Sequence, residues 1–401
     1  MLSCNSRPRQ VLVINVGDEL LDGLRENGHL LWLGEHLARR GLPITRSLVV
    51  RDDAAEIARA VGEAWGAYDL IVTTGGIGPT SDDHTREAVA GALGLTLTHV
   101  PAAEQALRDR FKMIGRKVAA ADLSQCYVPA GADSLPNPRG TAPGVFLHRD
   151  GRALVMLPGP SLELRPMFED EVVPRLRQVG CACQGEAYVQ VRTFGIGAVP
   201  LEAIVRPLLA PGMALTFGTH TGVVDARISS AGGGATADQL CEVARKIRDA
   251  VGEDFVATGH ACLATLVVEQ LRSLEKTVAL AESCTGGLLA NAFTDVPGAS
   301  KVFAGSAVCY ANDAKVNLLG VPDCLIAQHG AGGNTEQQCV ANLARSAGNS
   351  HSYRCFHRVL VLADELIVSS GAHILVVLQA NYKTSRAMVT TGRGNRSCRA
   401  Q

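Results

Sequence analysis

The chain has 401 residues, 47% apolar and only 19% charged, and 38 lysines plus arginines nearly cancel 39 aspartates plus glutamates, for a formal net charge of -1. That balance excludes a disordered chain, which needs low hydrophobicity and high net charge, and speaks against a dedicated nucleic-acid binder, which carries a basic excess or stripe. At about 150 residues per domain the length implies two to three domains.

In chain order, Gln10–Asn15 (QVLVIN) is a short β-branched run that predicts a buried strand. Leu30–Arg40 has helical spacing with Gly41 as its stop, Ser47–Val50 is a second strand, Ala54–Trp65 a helix, and Asp69–Thr73 a third strand. The segment TTGGIGPTSDDHT follows, then a helix over Arg86–Leu93. Strand Leu154–Leu157 ends at Pro158–Gly159–Pro160 and feeds a helix over Glu163–Gln178. Strands alternating with helices across short turns predict a mostly parallel sheet covered on both faces. Residues 185–255 change rhythm, with alternating segments (YVQVRTFGIG, VVDARISS), a turn at Gly232–Gly234 and a helix around Gln239–Val251. The α/β rhythm then resumes: helix Leu263–Leu274, strand Thr277–Ala281, a tight turn Glu282–Gly287, helix Leu288–Thr294 and strand Ala304–Tyr310. Ser346–Phe356 has no clear period, and the chain ends in the basic GRGNRSCRAQ.

The expected fold class is therefore α/β. It comprises a three-layer first domain (residues 1–175), a small α+β unit (176–258), a second α/β domain (259–331) and an irregular tail (332–401). No run of 18 apolar residues appears, so no membrane span is expected, and Met1–Gln10 does not read as a signal peptide. Twelve cysteines without a CxxC pair, Cys181 and Cys183 forming a lone CxC, read as free thiols of a reducing cytoplasm. His220, His260 and His329 lack zinc-ligand spacing.

Thr73–Thr85 carries the most chemistry in the first half. A strand delivers Gly75 and Gly76, then Gly78–Pro79–Thr80, then Asp82 and Asp83 ahead of a helix. Glycines let backbone N–H groups approach an anion, and consecutive N–H groups before a helix form a phosphate cradle. Two carboxylates beside a phosphate make sense with a divalent cation between them. The plainer role for one Asp is a helix cap. Asp18 in Gly17–Asp18–Glu19 follows the first strand, and Asp52 and Asp53 follow the second, so their acids are candidates for the same crevice at the strand ends. Leu135–Gly144 (LPNPRGTAPG) supplies Asn137, Arg139, Gly140 and Thr141 as a loop that closes on a nucleotide.

VGDELLDG, TTGGIGPTSDDHTREAVAGALG, LPNPRGTAPG and LPGPSLELRPMFEDEVVPRL together resemble the competence/damage-inducible CinA family, whose first domain is similar to the MogA/MoaB-type molybdopterin-binding fold. The resemblance spans roughly residues 10–330. It implies a cytoplasmic homodimer acting on a small-molecule nucleotide, with divalent-metal-dependent hydrolysis of ADP-ribose in the first half. The functional Asp residues of the related molybdopterin enzymes fall on Asp52, with Asp53 as the close alternative, and on Asp83. Asp18, Asp82 and Asp83 become the expected metal ligands, and Gly75, Gly76, Gly78 and Thr80 the expected phosphate contacts. Where family members carry an Asn-rich stretch after GDELL, this chain has LRENGHLL, with only Asn27 in place.

In the second half, AESCTGG packs Ser283, Cys284 and Thr285 against Gly286 and Gly287 at a strand-to-helix turn, where hydroxyls serve as nucleophiles or oxyanion donors. Ser300, Tyr310 and Lys315 follow, and a desolvated Lys near a Ser is a candidate base. AESCTGG, TDVPGAS, CYANDAK and LLGV resemble the opening of the family's C-terminal domain, which is similar to nicotinamide-nucleotide amidases. That resemblance implies a hydroxyl nucleophile, Ser283 or Ser300, with Lys315 as base and Tyr310 nearby. From Gly332 onward none of the family's order remains, the pattern that a shifted reading frame or a divergent tail leaves, and weak or absent amidase activity is expected. The competing readings are a pterin- or nucleotide-binding module without turnover and an interaction protein of competence or repair. Near-zero net charge argues against direct nucleic-acid contact.

Overall fold

The computed structural model describes residues 9–220, 222–230, 236–283, 285–319, 321–329, 365–370 and 373–378. The Gly232–Gly234 turn, Cys284 and most of the tail beyond residue 331 lie outside the described residues. The chain divides into two compact units: residues 1–191 with 202–218 and 226–252, and residues 192–201 with 219–225 and 253–401. Segments of the middle region thus contribute to both.

The first unit opens with β1 (Val11–Val16), α1 (Asp18–Leu21), α2 (Gly28–Arg39), β2 (Arg46–Val50), α3 (Ala54–Trp65), β3 (Leu70–Thr74) and α4 (Thr85–Ala92). It continues with β4 (Leu97–His99), α5 (Pro101–Met113), β5 (Tyr127–Pro129), β6 (Asp133–Leu135), β7 (Gly144–Arg149) and β8 (Arg152–Leu157). The helix read over Glu163–Gln178 is α6 (Ser161–Met167) and α7 (Val173–Gln178), joined by the π-helical turn Phe168–Val172. Six strands form one sheet in the order β2-β1-β3-β8-β7-β6. The first four run parallel, while β7 and β6 add an antiparallel edge.

Every residue of β1 and of β3 is buried, because helices cover both faces of the sheet. Val11, Val13, Leu70 and Val72 point into one core with Leu33 and Leu37 of α2 and Phe168. Leu12, Ile14 and Ile71 point into the other with Ile57 and Val61 of α3 and Val89 of α4. The period-2 alternation of a strand thus feeds two cores at once, each large aliphatic contributing about 1.5–3 kcal/mol by burial.

A separate four-stranded sheet follows, made of β9 (Tyr188–Phe194), β10 (Met213–His220), β11 (Val223–Ser230) and β12 (Phe255–Thr258) in the order β10-β11-β9-β12. Its helices are α8 (Ala198–Val205) and α9 (Ala237–Val251), the latter opened by a Thr236–Gln239 capping box. The second unit continues with α10 (Leu263–Ser273), β13 (Thr277–Glu282), α11 (Leu288–Thr294), β14 (Phe303–Val308), α12 (Asn312–Leu319) and α13 (Asp323–His329). From the tail come β15 (Glu365–Ser370) and β16 (His373–Leu378), and β16 runs parallel to β13 in the sheet β14-β13-β16-β15. Its core gathers Val268, Leu271, Val278, Leu280 and Phe293. Among the described residues, no helix is long and apolar enough to cross a membrane.

The chain leaves β1 toward β2 on one side and later inserts β3 on the other, so β1 and β3 are neighbours whose outgoing connections diverge. Such a switch point leaves a crevice at the strand ends. Gly75 fills it at φ +90°, where a Cβ would run into the Val16 carbonyl. Gly75→Ala should therefore lower unfolding free energy by about 1–3 kcal/mol. Gly66→Ala, at φ -79° with open space around it, should be neutral or stabilising by about 0.4–1 kcal/mol. Paired urea titrations check both.

Candidate active site at the strand switch point

A cleft of about 380 Å³ opens where β1 and β3 end. Its walls include Val16, Gly17 and Glu19 after β1, Asp52 after β2, Thr74–Gly78 with Asp82 and Asp83 after β3, and Pro158–Ser161 with Glu163 after β8. Leu20, Arg25, Glu26, Gly28, His29, Thr141 and Ala142 complete them.

The glycine loop is shaped from below by α4. The Gly75 carbonyl accepts the Thr85 hydroxyl at 3.0 Å, the Gly76 carbonyl accepts the Thr85 N–H at 2.9 Å, and the Ile77 carbonyl accepts the Arg86 guanidinium. Arg86 also donates to the Gly78 carbonyl at 2.9 Å. Its side chain is 1% exposed, and that burial pulls its pKa down. The Gly75 N–H donates to Leu157 at 3.0 Å, which corrects its assignment as a phosphate donor: the β8 edge has already taken it. No acceptor among the described residues takes the N–H groups of Gly76, Ile77 or Gly78.

The carboxylates divide by role. Asp53 caps α3, accepting the Glu56 N–H at 2.8 Å, which leaves Asp52 as the one that faces the cleft. Asp52 accepts the Asp18 N–H at 2.9 Å, and the Asp18 carboxylate accepts the Asp52 N–H at 3.3 Å. Burial pushes the Asp52 carboxyl up; the Asp18 N–H opposes this, and the charges of Asp18, Glu19 and Asp82 add to the rise. Asp18 itself pairs with Arg51 at 3.3 Å and is not on the cleft wall. That corrects its assignment as a metal ligand, and Glu19 lines the cleft instead. Neither Asp82 nor Asp83 caps α4, whose N-cap is His84 without a side-chain bond. Asp83 folds back over Gly78 and accepts the Thr80 N–H at 2.8 Å and the Thr80 hydroxyl. Thr80 therefore holds Asp83 rather than lining the cleft. Asp82 is exposed, its carboxyl held down by the Thr80 hydroxyl and its own N–H.

Two loop residues also depart from expectation. Asn137 donates to Ala142 at 2.8 Å and to Glu163 at 2.7 Å, and accepts from Gly140 at 2.9 Å. It thereby ties the 135–144 loop and leaves only Thr141 and Ala142 of that loop on the wall. Arg139 is exposed, its carbonyl held by Arg110, and the cleft guanidinium is Arg25. Asn27 caps α2 and donates to Asn15 at 3.0 Å, behind the wall. His29, Glu163, Thr85 and Arg86 escaped the sequence reading. His29 Nε2 lies 2.6 Å from the Gly159 carbonyl. Burial lowers its pKa against the pull of that carbonyl, with Arg25 and Arg165 adding to the drop.

Among the described residues no three His, Cys, Asp or Glu side chains converge into a ready metal cage. The wall nonetheless carries six carboxylates (Glu19, Glu26, Asp52, Asp82, Asp83, Glu163) against the single guanidinium of Arg25.

In the second unit, Lys315 is buried and donates to Ser283 Oγ at 3.2 Å, to the Cys309 carbonyl at 2.8 Å and to the Tyr310 carbonyl at 2.9 Å. Ser300 sits exposed in the short turn Ala299–Lys301. The Tyr310 side chain is 75% exposed, so its backbone, not its phenol, meets Lys315. Gly286 (φ +60°) and Gly287 (φ +98°) bend the chain into α11. Glu282 is buried beneath this turn and accepts Leu289 N–H, Ala290 N–H and the Ser306 hydroxyl at 3.1, 3.0 and 3.1 Å. Burial alone would raise its carboxyl, but these donors and Thr285 hold it low.

The family described as Probable molybdopterin binding domain matches residues 12–178, and that described as CinA C-terminal domain matches residues 260–353. The chain is 39% identical to a competence-damage inducible protein of Caldanaerobacter subterraneus subsp. tengcongensis over 80% of its own length and 77% of that protein's. It is 38% identical to a CinA-like protein of Desulfovibrio desulfuricans over 80% and 75%. A crystal structure of the protein CinA from Thermoplasma acidophilum is 30% identical, covers 41% of this chain and 98% of its own, and superposes with a TM-score of 0.39.

A raised carboxyl pKa means that ionising Asp52 costs the folded state stability. The favourable contribution is present below the ordinary value of 3.8 and lost as pH rises through the folded pKa. Asp52→Asn, which keeps an acceptor for Asp18, should therefore melt above the wild type at pH 7, and the gap should close below about pH 4 in a calorimetric pH series.

Proposed function

The chain belongs to the CinA family of competence-damage inducible proteins, and on that footing we propose that its first unit hydrolyses the pyrophosphate bond of an ADP-ribose-type nucleotide with the help of a divalent cation. One observation carries this reading: three free backbone donors, of Gly76, Ile77 and Gly78, stand in one cleft with Asp52, Asp82 and Asp83. A diphosphate brought to a wall of six carboxylates is repelled unless a cation lies between. All the acidic donors are hard oxygens, and a Mg2+-type ion needs only one or two carboxylates when waters and substrate phosphates complete its shell. Asp82 and Asp83, with Asp52 opposite, would hold it, and when bound it neutralises phosphate charge and acidifies a coordinated water.

The protein's own groups do the rest. The loop N–H groups bind non-bridging phosphate oxygens, and their stabilisation grows as charge builds on those oxygens. Water oxygen bonds to one phosphorus, the bridging oxygen leaves with the other phosphate, and Asp52 is placed to accept the proton. Thr141, Ser161 and His29 line the remaining wall for the sugar. ADP-ribose should be turned over with added magnesium and not with chelator, and Asp83→Asn should lower kcat by about a hundredfold or more. Wild-type rates in Asp83→Asn would place the chemistry elsewhere. Tight binding without turnover in the wild type would make the cleft a binding module.

The Ser283–Lys315 contact favours a second reading, amide hydrolysis of nicotinamide mononucleotide in the second unit. Lys315, anchored on the Cys309 and Tyr310 carbonyls, lies 3.2 Å from Ser283 Oγ, within reach of its proton. Ser283 Oγ attacks the amide carbon, Lys315 relays its proton to the departing ammonia, and water then hydrolyses the ester left on Ser283 to release the carboxylic acid. Slow ammonia release is expected, abolished in Ser283→Ala and retained in Ser300→Ala. The reverse pattern would exchange the two serines.

A further inference from the structure

We propose that Thr85 and Arg86 are positioning residues that turn the peptides between Gly75 and Gly78 into a three-donor cradle for a diphosphate. This deepens the pyrophosphatase reading and rests on it for the identity of the anion. The argument starts from peptide planarity. In a trans peptide the C=O of one residue and the N–H of the next point in opposite directions, and no cis peptide occurs among the described residues. The Gly75 carbonyl is held by the Thr85 hydroxyl, so the Gly76 N–H points away from α4. The Gly76 carbonyl is held by the Thr85 N–H, so the Ile77 N–H does the same. The Ile77 carbonyl is held by Arg86, so the Gly78 N–H completes the row. Three successive donors thus leave α4 behind them and face the cleft that their residues line. Beyond Gly78 the row ends, because Pro79 has no N–H.

Arg86 has a second property that a purely structural anchor does not need. It is a fully buried cation whose hydrogen bonds go to carbonyls and to no carboxylate. A buried charge is costly; Glu87 and Asp83 favour it electrostatically without bonding it, and a neutral donor would serve the loop carbonyls. A diphosphate seated on the other side of these peptides adds to the counter-charge that Glu87 and Asp83 supply from nearby. Thr85 is equally buried and spends its hydroxyl on the loop rather than on its own helix.

Inorganic pyrophosphate with magnesium, titrated calorimetrically into the full chain, tests this. Arg86→Met should weaken pyrophosphate binding by about tenfold or more, the loss of a charge-assisted contact. Arg86→Lys should recover part of it, and Thr85→Val should weaken binding several-fold, with Thr85→Ser restoring it. Melting curves report folding, and Thr85→Val decides the matter if Arg86→Met does not fold. Folded Arg86→Met and Thr85→Val proteins that bind pyrophosphate like the wild type would overturn the inference, as would a wild-type chain that binds no pyrophosphate. Pyrophosphate binding that depends on both residues, in a chain that hydrolyses no dinucleotide, would uphold the cradle and sink only the pyrophosphatase reading.

Discussion

Three peptide planes, from Gly75 to Gly78, shape one wall of the first unit's cleft, and their orientation is fixed by the first two residues of α4. Each plane has one end tied down, and planarity settles where the other end points. The sheet order makes this possible. With β1 and β3 adjacent, the loop that leaves β3 crosses the end of β1, where only a residue without a Cβ clears the Val16 carbonyl. Asn15 and Thr74, paired in register and joined side chain to side chain at 2.8 Å, lock the two strand ends at that crossing.

The opposite wall is built from conflict. Asp18 and Asp52 each accept the other's backbone N–H, so two neighbouring turns hold each other through carboxylates that repel. Such an arrangement gives up stability for a fixed geometry, a pattern common where function sets the geometry. The rim ion pairs of Arg51 are half exposed and contribute little against this repulsion.

Much of the fold was legible because buried strands and amphipathic helices announce themselves. Helix Ala54–Trp65 was read with the bounds it has, and Gln10–Asn15 lies within a residue of β1. Helix α5 escaped because it buries only Leu107 and Phe111 on an otherwise polar surface, too thin a stripe to show as a period. Strand β7 escaped because GVFLHR follows a turn-rich loop and pairs antiparallel with β8, a partner no local pattern identifies. The same limit applies to the site. Its segments were legible from glycine and aspartate spacing, but whether Asp52 or Asp53 faced the cleft depended on which one capped α3. Which of Ser283 and Ser300 meets Lys315 likewise turned on where Lys315 lies in space. Arg86 was invisible in principle, since an arginine at the start of a helix ordinarily reads as surface.

The guanidinium of Arg86 reaches back nine positions to the Ile77 carbonyl. One backbone pair, from Thr85 to Gly76, and the reach of two side chains therefore rule the distance between glycine turn and helix. Inserting or deleting even one residue between Pro79 and His84 would swing that arm out of register and free all three peptides to rotate. The short bridge from Pro79 to His84 thus behaves as a gauge block, its dimension set by what the Arg86 side chain can reach.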